Sequence, residues 1–226
     1  MSKDFSTVCV IGSGLTGVSA AHALLKRNFR VLMIDTGLTL PPKTQQRVNN
    51  LKKTPAWQWT DDQKATLQNG VESSSTGVKE KLQYGSNYSS QEITSDPIAK
   101  DNTRFYVSYA QGGLSNIWGA GLLPMAEQDM TGWPIGLNDL KPHYKEVLTM
   151  MPLAGQHDRL EQLLPLYCEP RGHSLSRQTL TMLAKMDRNR TKLKNLGLHF
   201  GASRLAASFH GGKSGVDCQY CGMCMY

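Results

Sequence analysis

The first 35 residues alternate between two hydrophobic patterns. The apolar run at residues 8–11 predicts a buried strand, and a second apolar run at residues 31–34 predicts another. Between them, the apolar positions of residues 18–26 follow the spacing of one helix face. The order strand, helix, strand is typical of a βαβ unit in an α/β fold of Rossmann type.

The first predicted strand is followed by three glycines in the pattern Gly-x-Gly-x-x-Gly, at Gly12, Gly14 and Gly17. Glycine permits a tight turn at the first position, close approach of a pyrophosphate at the second and close helix packing at the third. The N–H groups at the positive end of the helix would bind that pyrophosphate. The turn predicted to bind it comprises Gly12, Ser13, Gly14, Leu15, Thr16 and Gly17.

An acid, Asp35, ends the second predicted strand. A carboxylate at this place accepts hydrogen bonds from adenosine ribose hydroxyls and would repel a 2′-phosphate. Together with the glycines it predicts a dinucleotide site. These residues by themselves do not distinguish FAD from NAD.

A second glycine-rich segment begins after residues 105–110, which have strand character. Here Gly112 and Gly113 stand close to Ser115, Asn116 and Trp118. Glycines allow a backbone to approach a flat ligand, and the polar side chains supply hydrogen bonds. Taken alone, these residues favour a tight polar turn, and the ligand surface gains support only in combination with the first motif. A flavin, however, extends beyond the pyrophosphate and needs a second binding surface.

The rest of the chain gives weaker signals. We predict a helix capped by Asn138, a second helix at residues 176–195 that stops at Gly197, and a weak strand at 198–207. Residues 41–59 suggest an irregular connection packed by aromatic side chains. The serine-rich stretch at 69–103 suggests a flexible surface excursion.

Composition narrows the class of protein. The chain has 226 residues, a formal net charge of +7 and 39% hydrophobic residues. It contains no apolar run long enough for a transmembrane helix, and the first strand begins too early for an export signal. We therefore expect a cytoplasmic location. The basic residues at 185–194 are interpreted as a solvated helix face, not a nucleic-acid surface, because aromatics and a recognised motif are missing.

Three cysteines, Cys218, Cys221 and Cys224, lie close enough to wrap one metal centre. Their spacing matches the start of the ferredoxin run for an iron–sulfur cluster, although a fourth ligand is missing. We favour a metal-free, thiol-rich turn, with an iron–sulfur cluster and then zinc as alternatives. Cys9, in the first strand, is expected to be a small buried residue.

Several short motifs occur in an order that resembles the glucose-methanol-choline (GMC) oxidoreductases. They are Gly-Gly-Leu-Ser-Asn-Ile-Trp-Gly at 112–119, Gly-Trp-Pro-Ile at 132–135 and Asp-Leu-Lys-Pro-His-Tyr at 139–144. Asp-Thr-Gly at 35–37 is similar to the family's Glu-Ala-Gly, with aspartate in place of glutamate. The cysteine segment at 218–224 resembles one found in a bacterial subset. The resemblance covers most of the chain except residues 41–103.

The resemblance implies an incomplete FAD-binding domain with a helical cap or substrate region. The expected boundaries are residues 1–60 and 104–130 for the FAD domain, 61–103 for a polar surface insertion, 131–197 for the helical segment and 198–226 for the return to the FAD domain. It places the first glycine turn on the FAD pyrophosphate and Asp35 on the ribose. It also places Gly112, Gly113, Ser115 and Asn116 along the ribityl and isoalloxazine portion, with Trp118 either against the flavin or in the core.

The implied reaction oxidises the CH–OH group of an alcohol or sugar, with hydride passing to flavin N5 and a base taking the hydroxyl proton. The family's catalytic histidine lies on a later segment that has no counterpart here, so we assign no catalytic residue. We expect a truncated chain that is inactive alone. The alternatives are an electron-transfer flavoprotein module with an iron–sulfur cluster, and a non-catalytic dinucleotide-binding fragment. Neither the substrate nor the electron acceptor is identified.

Overall fold

The computed structural model describes residues 7–55, 58–68, 84, 86–89, 107–172 and 175–209. These residues form two compact units that divide between Gly119 and Ala120. In the first unit, strands β1 (Thr7–Ile11) and β2 (Arg30–Ile34) pair in parallel and are joined by helix α1 (Leu15–Lys26). The prediction of an α/β fold of Rossmann type is therefore confirmed.

The two faces of this strand pair differ. Val10 points toward α1, since its Cγ1 lies 3.6 Å from the position that a Cβ on Gly17 would occupy. Neighbouring residues in a strand point to opposite faces, which places Cys9 and Ile11 on the other side. Ile11 is 85% exposed and Cys9 is also exposed. The expectation that Cys9 is buried was wrong, because the strand alternation turns it away from α1.

Two further helices, α2 (Pro42–Leu51) and α3 (Asp61–Gln68), follow β2 in the first unit. They contribute to a buried cluster made of Leu40, Val48, Leu51, Trp59, Leu67, Tyr84, Tyr88 and Ala110. The indole of Trp59 donates hydrogen bonds to the carbonyl oxygens of Leu51 and Thr54, at 3.2 and 2.9 Å. The aromatic packing expected between residues 41 and 59 is present, but α2 replaces the irregular connection.

The described residues of the 61–103 stretch also differ from a polar surface insertion. Leu67, Tyr84 and Tyr88 are buried and belong to the core cluster of the first unit. Their neighbours in sequence are polar, so the apolar positions are too few to reveal a periodic pattern. The surface excursion predicted at 69–103 otherwise falls mainly outside the described residues.

The second unit contains α4 (Leu137–Leu148), α5 (Arg177–Arg188) and α6 (Arg190–Asn195). Asn138 does not cap α4: Gly136 is the N-cap, and its N–H donates to the Asp139 carboxylate at 2.8 Å. The helix predicted at 176–195 is confirmed as α5 and α6, which are separated at Asn189.

The weak strand predicted at residues 198–207 did not form. Leu205 instead makes single antiparallel bridges to Gly121 and Ala154. Two isolated bridges at one residue position this segment between the chains around Gly121 and Ala154 without forming a continuous strand ladder. Leu205 is therefore the point at which three segments of the second unit meet.

A buried ion pair lies beside this bridge. The side chain of Arg204 is 1% exposed and its Nη2 lies 3.2 Å from Oδ1 of Asp158. Asp158 also accepts hydrogen bonds from the N–H groups of Leu160, at 2.9 Å, and Ala202, at 2.7 Å. One carboxylate thus compensates a buried cation and two backbone donors.

Replacing Asp158 with alanine should destabilise the second unit by about 3 kcal/mol, because it leaves Arg204 buried without a counter-charge. Urea unfolding followed by circular dichroism measures the change. Asp129→Ala is the control, since Asp129 is exposed and accepts no recorded hydrogen bond among the described residues. Equal unfolding free energies for the two variants would contradict a stabilising role for Asp158.

Candidate dinucleotide-binding site

The N-terminus of α1 is open to an anion. Its N-cap is Gly14, which offers no side chain, and the first helical bond runs from the N–H of Val18 to the Gly14 carbonyl at 2.9 Å. In the part of the chain that the structure describes, the N–H groups of Leu15, Thr16 and Gly17 have no recorded acceptor. Together with the helix dipole, these donors favour a phosphate at this position.

Two glycines of the first turn are required by its backbone. Gly12 has φ +90°, a conformation that side chains other than glycine rarely adopt. A Cβ at Gly17 would overlap the carbonyl oxygen of Gly12. The glycine spacing is thus explained by the turn itself, in addition to any ligand.

The carboxylate of Asp35 is fixed by three donors. Its Oδ2 accepts from the N–H of Ser13 at 2.6 Å and from the Ser13 hydroxyl at 2.8 Å. Its Oδ1 accepts from the N–H of Gly37 at 2.7 Å. The hydroxyl of Ser13, followed by its backbone N–H, lowers the pKa of Asp35 below the ordinary value of 3.8.

The second glycine segment forms a tight turn. Gly112 and Gly113 have φ +88° and +58°, and residues Gly113–Asn116 form a 3-10 helix. The hydroxyl of Ser115 donates to the Gly112 carbonyl at 2.7 Å. The amide of Asn116 donates to the carbonyls of Gln111 and Gly113, both at 2.8 Å.

These bonds give Ser115 and Asn116 a role within their own loop. In addition, the side-chain Oδ1 of Asn116 accepts a hydrogen bond from the hydroxyl of Tyr88 at 3.1 Å. Contact of the two side chains with a flavin stays a prediction, while their part in holding the turn is observed. Both functions proposed for the segment, a polar turn and a ligand surface, are compatible with this geometry.

The two glycine turns touch each other although 99 positions separate Ser13 from Gly112 in sequence. The N–H of Gly112 donates to the hydroxyl of Ser13 at 2.8 Å. A Cβ on Gly14 would lie 3.7 Å from the Gly112 carbonyl oxygen, and one on Gly113 would lie 3.7 Å from the Gly14 Cα. The tertiary structure therefore joins the two sequence motifs into one surface.

An open cavity of 410 Å³ lies at this junction. Its lining combines backbone of the first turn with apolar side chains from both segments: Ile11, Gly12, Gly14, Leu15, Thr16, Gly17, Leu114, Ser115 and Trp118. Sequence reasoning missed Ile11 and Leu114. The signal was present, because Ile11 ends a parallel strand and ligands of such sheets bind beyond the strands' carboxyl ends.

A family model for an NAD(P)-binding Rossmann-like domain matches residues 10–48. The match includes the first glycine turn, α1, β2 and Asp35. Residues 10–48 are therefore similar to a Rossmann-like dinucleotide-binding domain, and the α/β fold formed by the described residues is incomplete. No curated protein matches the chain. The second glycine segment lies outside the matched residues, so its place in the dinucleotide site depends on the contacts described above.

Among the described residues that line the cavity, none is a histidine, an acid or another base. In the second unit, Nδ1 of His157 lies 3.0 Å from Oε1 of Glu161, and its Nε2 lies 3.1 Å from Oε2 of Glu169. The hydrogen bond with Glu169, and then that with Glu161, raises the pKa of His157. The described part of the cavity can bind and orient a ligand, and it offers no general base.

The three clustered cysteines, Cys218, Cys221 and Cys224, lie outside the described residues, so their metal-free, iron–sulfur and zinc interpretations all stay predictions. Among the residues that are described, no group of three or more potential ligands could hold a metal ion. Likewise, no helix in the described ranges is long and apolar enough to cross a membrane.

Gly17→Ala should destabilise the first unit by about 1–3 kcal/mol, as overpacking does, because the new methyl group overlaps the Gly12 carbonyl. Chemical denaturation measures the loss. Gly14→Ala is the matched control, since a Cβ there meets the protein only at 3.7 Å. If both variants unfold at the same denaturant concentration, the proposed overlap at residue 17 is wrong.

The lowered pKa of Asp35 predicts a pH-dependent contribution to folding. A depressed acid pKa stabilises the folded protein above the unfolded pKa, about 3.9, and this stabilisation disappears as pH falls through the folded pKa. The difference in unfolding free energy between wild type and Asp35→Asn should therefore be largest above pH ~4 and shrink below it. A difference that stays constant on acidification would exclude this contribution.

Proposed function

We propose that this chain binds FAD and forms the FAD-binding part of a GMC-type oxidoreductase that oxidises the CH–OH group of an alcohol or sugar. The observation that carries the proposal is the contact between the two glycine turns through Ser13 and Gly112. A dinucleotide on the first turn would continue directly onto the second. The resemblance of residues 112–119 to the second flavin motif of that family supports the same assignment.

The residues present fit the two parts of FAD. The uncapped N-terminus of α1 suits the pyrophosphate, and Asp35 retains one acceptor position for a ribose hydroxyl. Leu114 and Trp118 supply an apolar and aromatic wall on the second segment. A flat isoalloxazine ring stacks favourably on such a surface.

When bound, the flavin would accept a hydride from the substrate carbon. The described residues of this chain would hold and orient it: the first turn would fix the phosphates and the second would limit the position of the ring. The hydroxyl proton requires a base from outside the described cavity lining, which contains no titratable side chain. A small-molecule alcohol or sugar as the substrate and a cytoplasmic location are further parts of the proposal.

A nicotinamide dinucleotide is the second candidate, favoured by the family model that matches residues 10–48. The first turn would bind either dinucleotide in the same way. The contact between the turns distinguishes them, because a nicotinamide dinucleotide assigns no evident task to Gly112, Gly113 and Trp118. An electron-transfer module remains a third possibility that depends on the cysteine segment at 218–224.

Isothermal titration of the full chain with FAD, NAD⁺, NADP⁺ and ADP tests the choice of cofactor. FAD should bind more tightly than ADP, because only FAD carries the flavin that we propose contacts Leu114 and Trp118 on the second segment. It should also bind more tightly than either nicotinamide dinucleotide. Tighter binding of NAD⁺ or NADP⁺ than of FAD would overturn the flavin assignment and leave the Rossmann-like domain intact.

Trp118→Ala should weaken FAD binding more than ADP binding. Loss of one aromatic stacking partner costs about 1–3 kcal/mol, which corresponds to a roughly 5- to 150-fold increase in Kd. Trp133→Ala is the control, because Trp133 is half exposed and belongs to the second unit. If Trp118→Ala reduces ADP and FAD affinity equally, Trp118 fills the core and does not contact the flavin.

A further inference from the structure

We propose that Ser13 is a positioning residue that couples the ribose-binding acid, Asp35, to the second glycine turn. Its hydroxyl joins Asp35 and the second turn in a single chain of hydrogen bonds. The identity of the ligand rests on the proposed function, whereas the coupling itself rests on the contacts of Ser13.

The direction of this chain is fixed by chemistry. Gly112 offers an N–H, which can only donate, and an ionised Asp35 offers oxygens, which can only accept. The Ser13 hydroxyl therefore accepts from Gly112 at 2.8 Å and donates to Oδ2 of Asp35 at 2.8 Å. Its one proton and one of its lone pairs are both in use.

The Asp35 carboxylate has a fixed orientation, so its position depends on that of Ser13. The backbone N–H of Ser13 binds the same Oδ2 at 2.6 Å, and the N–H of Gly37 binds Oδ1 at 2.7 Å. The carboxylate is thus anchored from both oxygens. A carboxylate has about four acceptor positions, so one remains on Oδ1 for a ligand hydroxyl.

The other hydrogen bonds of the second turn are made within the turn itself or to residues outside the first turn. The side chains of Ser115 and Asn116 bond within the turn and to Tyr88. The segment before the turn is attached to the chain that follows β2 by two backbone hydrogen bonds. The Leu38 N–H donates to the Tyr109 carbonyl at 3.0 Å, and the Gln111 N–H donates to the Leu38 carbonyl at 2.8 Å. In the described ranges, Ser13 is the recorded hydrogen-bond partner that ties Gly112 to the first turn.

Removing the hydroxyl should therefore release the second turn from Asp35. In Ser13→Ala, Asp35 still accepts hydrogen bonds from the backbone N–H groups of residue 13 and Gly37, and it gains a free acceptor position on Oδ2. ADP affinity should stay the same or rise. The turn at Gly112 loses its tie, so FAD affinity should fall about 3- to 10-fold, the effect of one hydrogen bond.

The experiment compares wild type, Ser13→Ala, Ser13→Thr and Ser19→Ala in the full chain. Threonine keeps the hydroxyl, and Ser19 is the matched control because its hydroxyl bonds within α1, to the Leu15 carbonyl at 2.8 Å. Two quantities are measured: the ratio of ADP to FAD dissociation constants, and hydrogen exchange of the Gly112 amide without ligand. Ser13→Ala should accelerate that exchange and lower the ratio, while Thr and Ser19→Ala should leave both near wild type.

Unchanged Gly112 exchange in Ser13→Ala, or equal losses of ADP and FAD affinity, would overturn the coupling. Failure of Ser13→Thr to preserve both quantities would do the same. If wild type binds no FAD, the proposed function fails, and the Gly112 amide still decides the coupling. Should Ser13→Ala not fold, Ser13→Cys replaces it, because a thiol is a weak donor and acceptor.

Discussion

The hydrogen-bond chain from Gly112 through Ser13 to Asp35 is the interaction on which the geometry of the candidate dinucleotide site depends. It connects the end of β2, the turn after β1 and Gly112, which lies 77 residues after Asp35 in the sequence. The family match at residues 10–48 covers the first two of these segments, and the hydrogen bond between Ser13 and Gly112 adds the third. The backbone of the first turn, whose N–H groups could bind a phosphate, and the aromatic side chain of Trp118 therefore line the same cavity.

Opposite charges organise the two ends of the first turn. The uncapped N-terminus of α1 carries partial positive charge, while Asp35 stays ionised because Ser13 and Gly37 donate to it. A ligand with anionic phosphates and neutral ribose hydroxyls matches this arrangement. The same donors that fix Asp35 leave the helix N–H groups of residues 15–17 available.

The sequence predicted those helices and strands for which several local features, such as hydrophobic spacing and glycine position, agree. The first βαβ unit and the α5–α6 region were predictable, because hydrophobic period, glycine and the Ser176 cap agree locally. Helices α2 and α3 were missed because few apolar residues mark them. Cys9 was misplaced because an apolar run does not tell which face of a strand another element covers.

The sequence by itself determined the first turn: Gly12 needs its positive φ, Gly17 must lack a side chain, and Asp35 ends β2. These are requirements of neighbouring backbone, so nearby residues suffice to reveal them. Only the tertiary structure decided that Gly112 meets Ser13 and that Ile11 and Leu114 line one cavity. Contacts between segments distant in sequence depend on how the chain closes upon itself, and no local pattern encodes that closure.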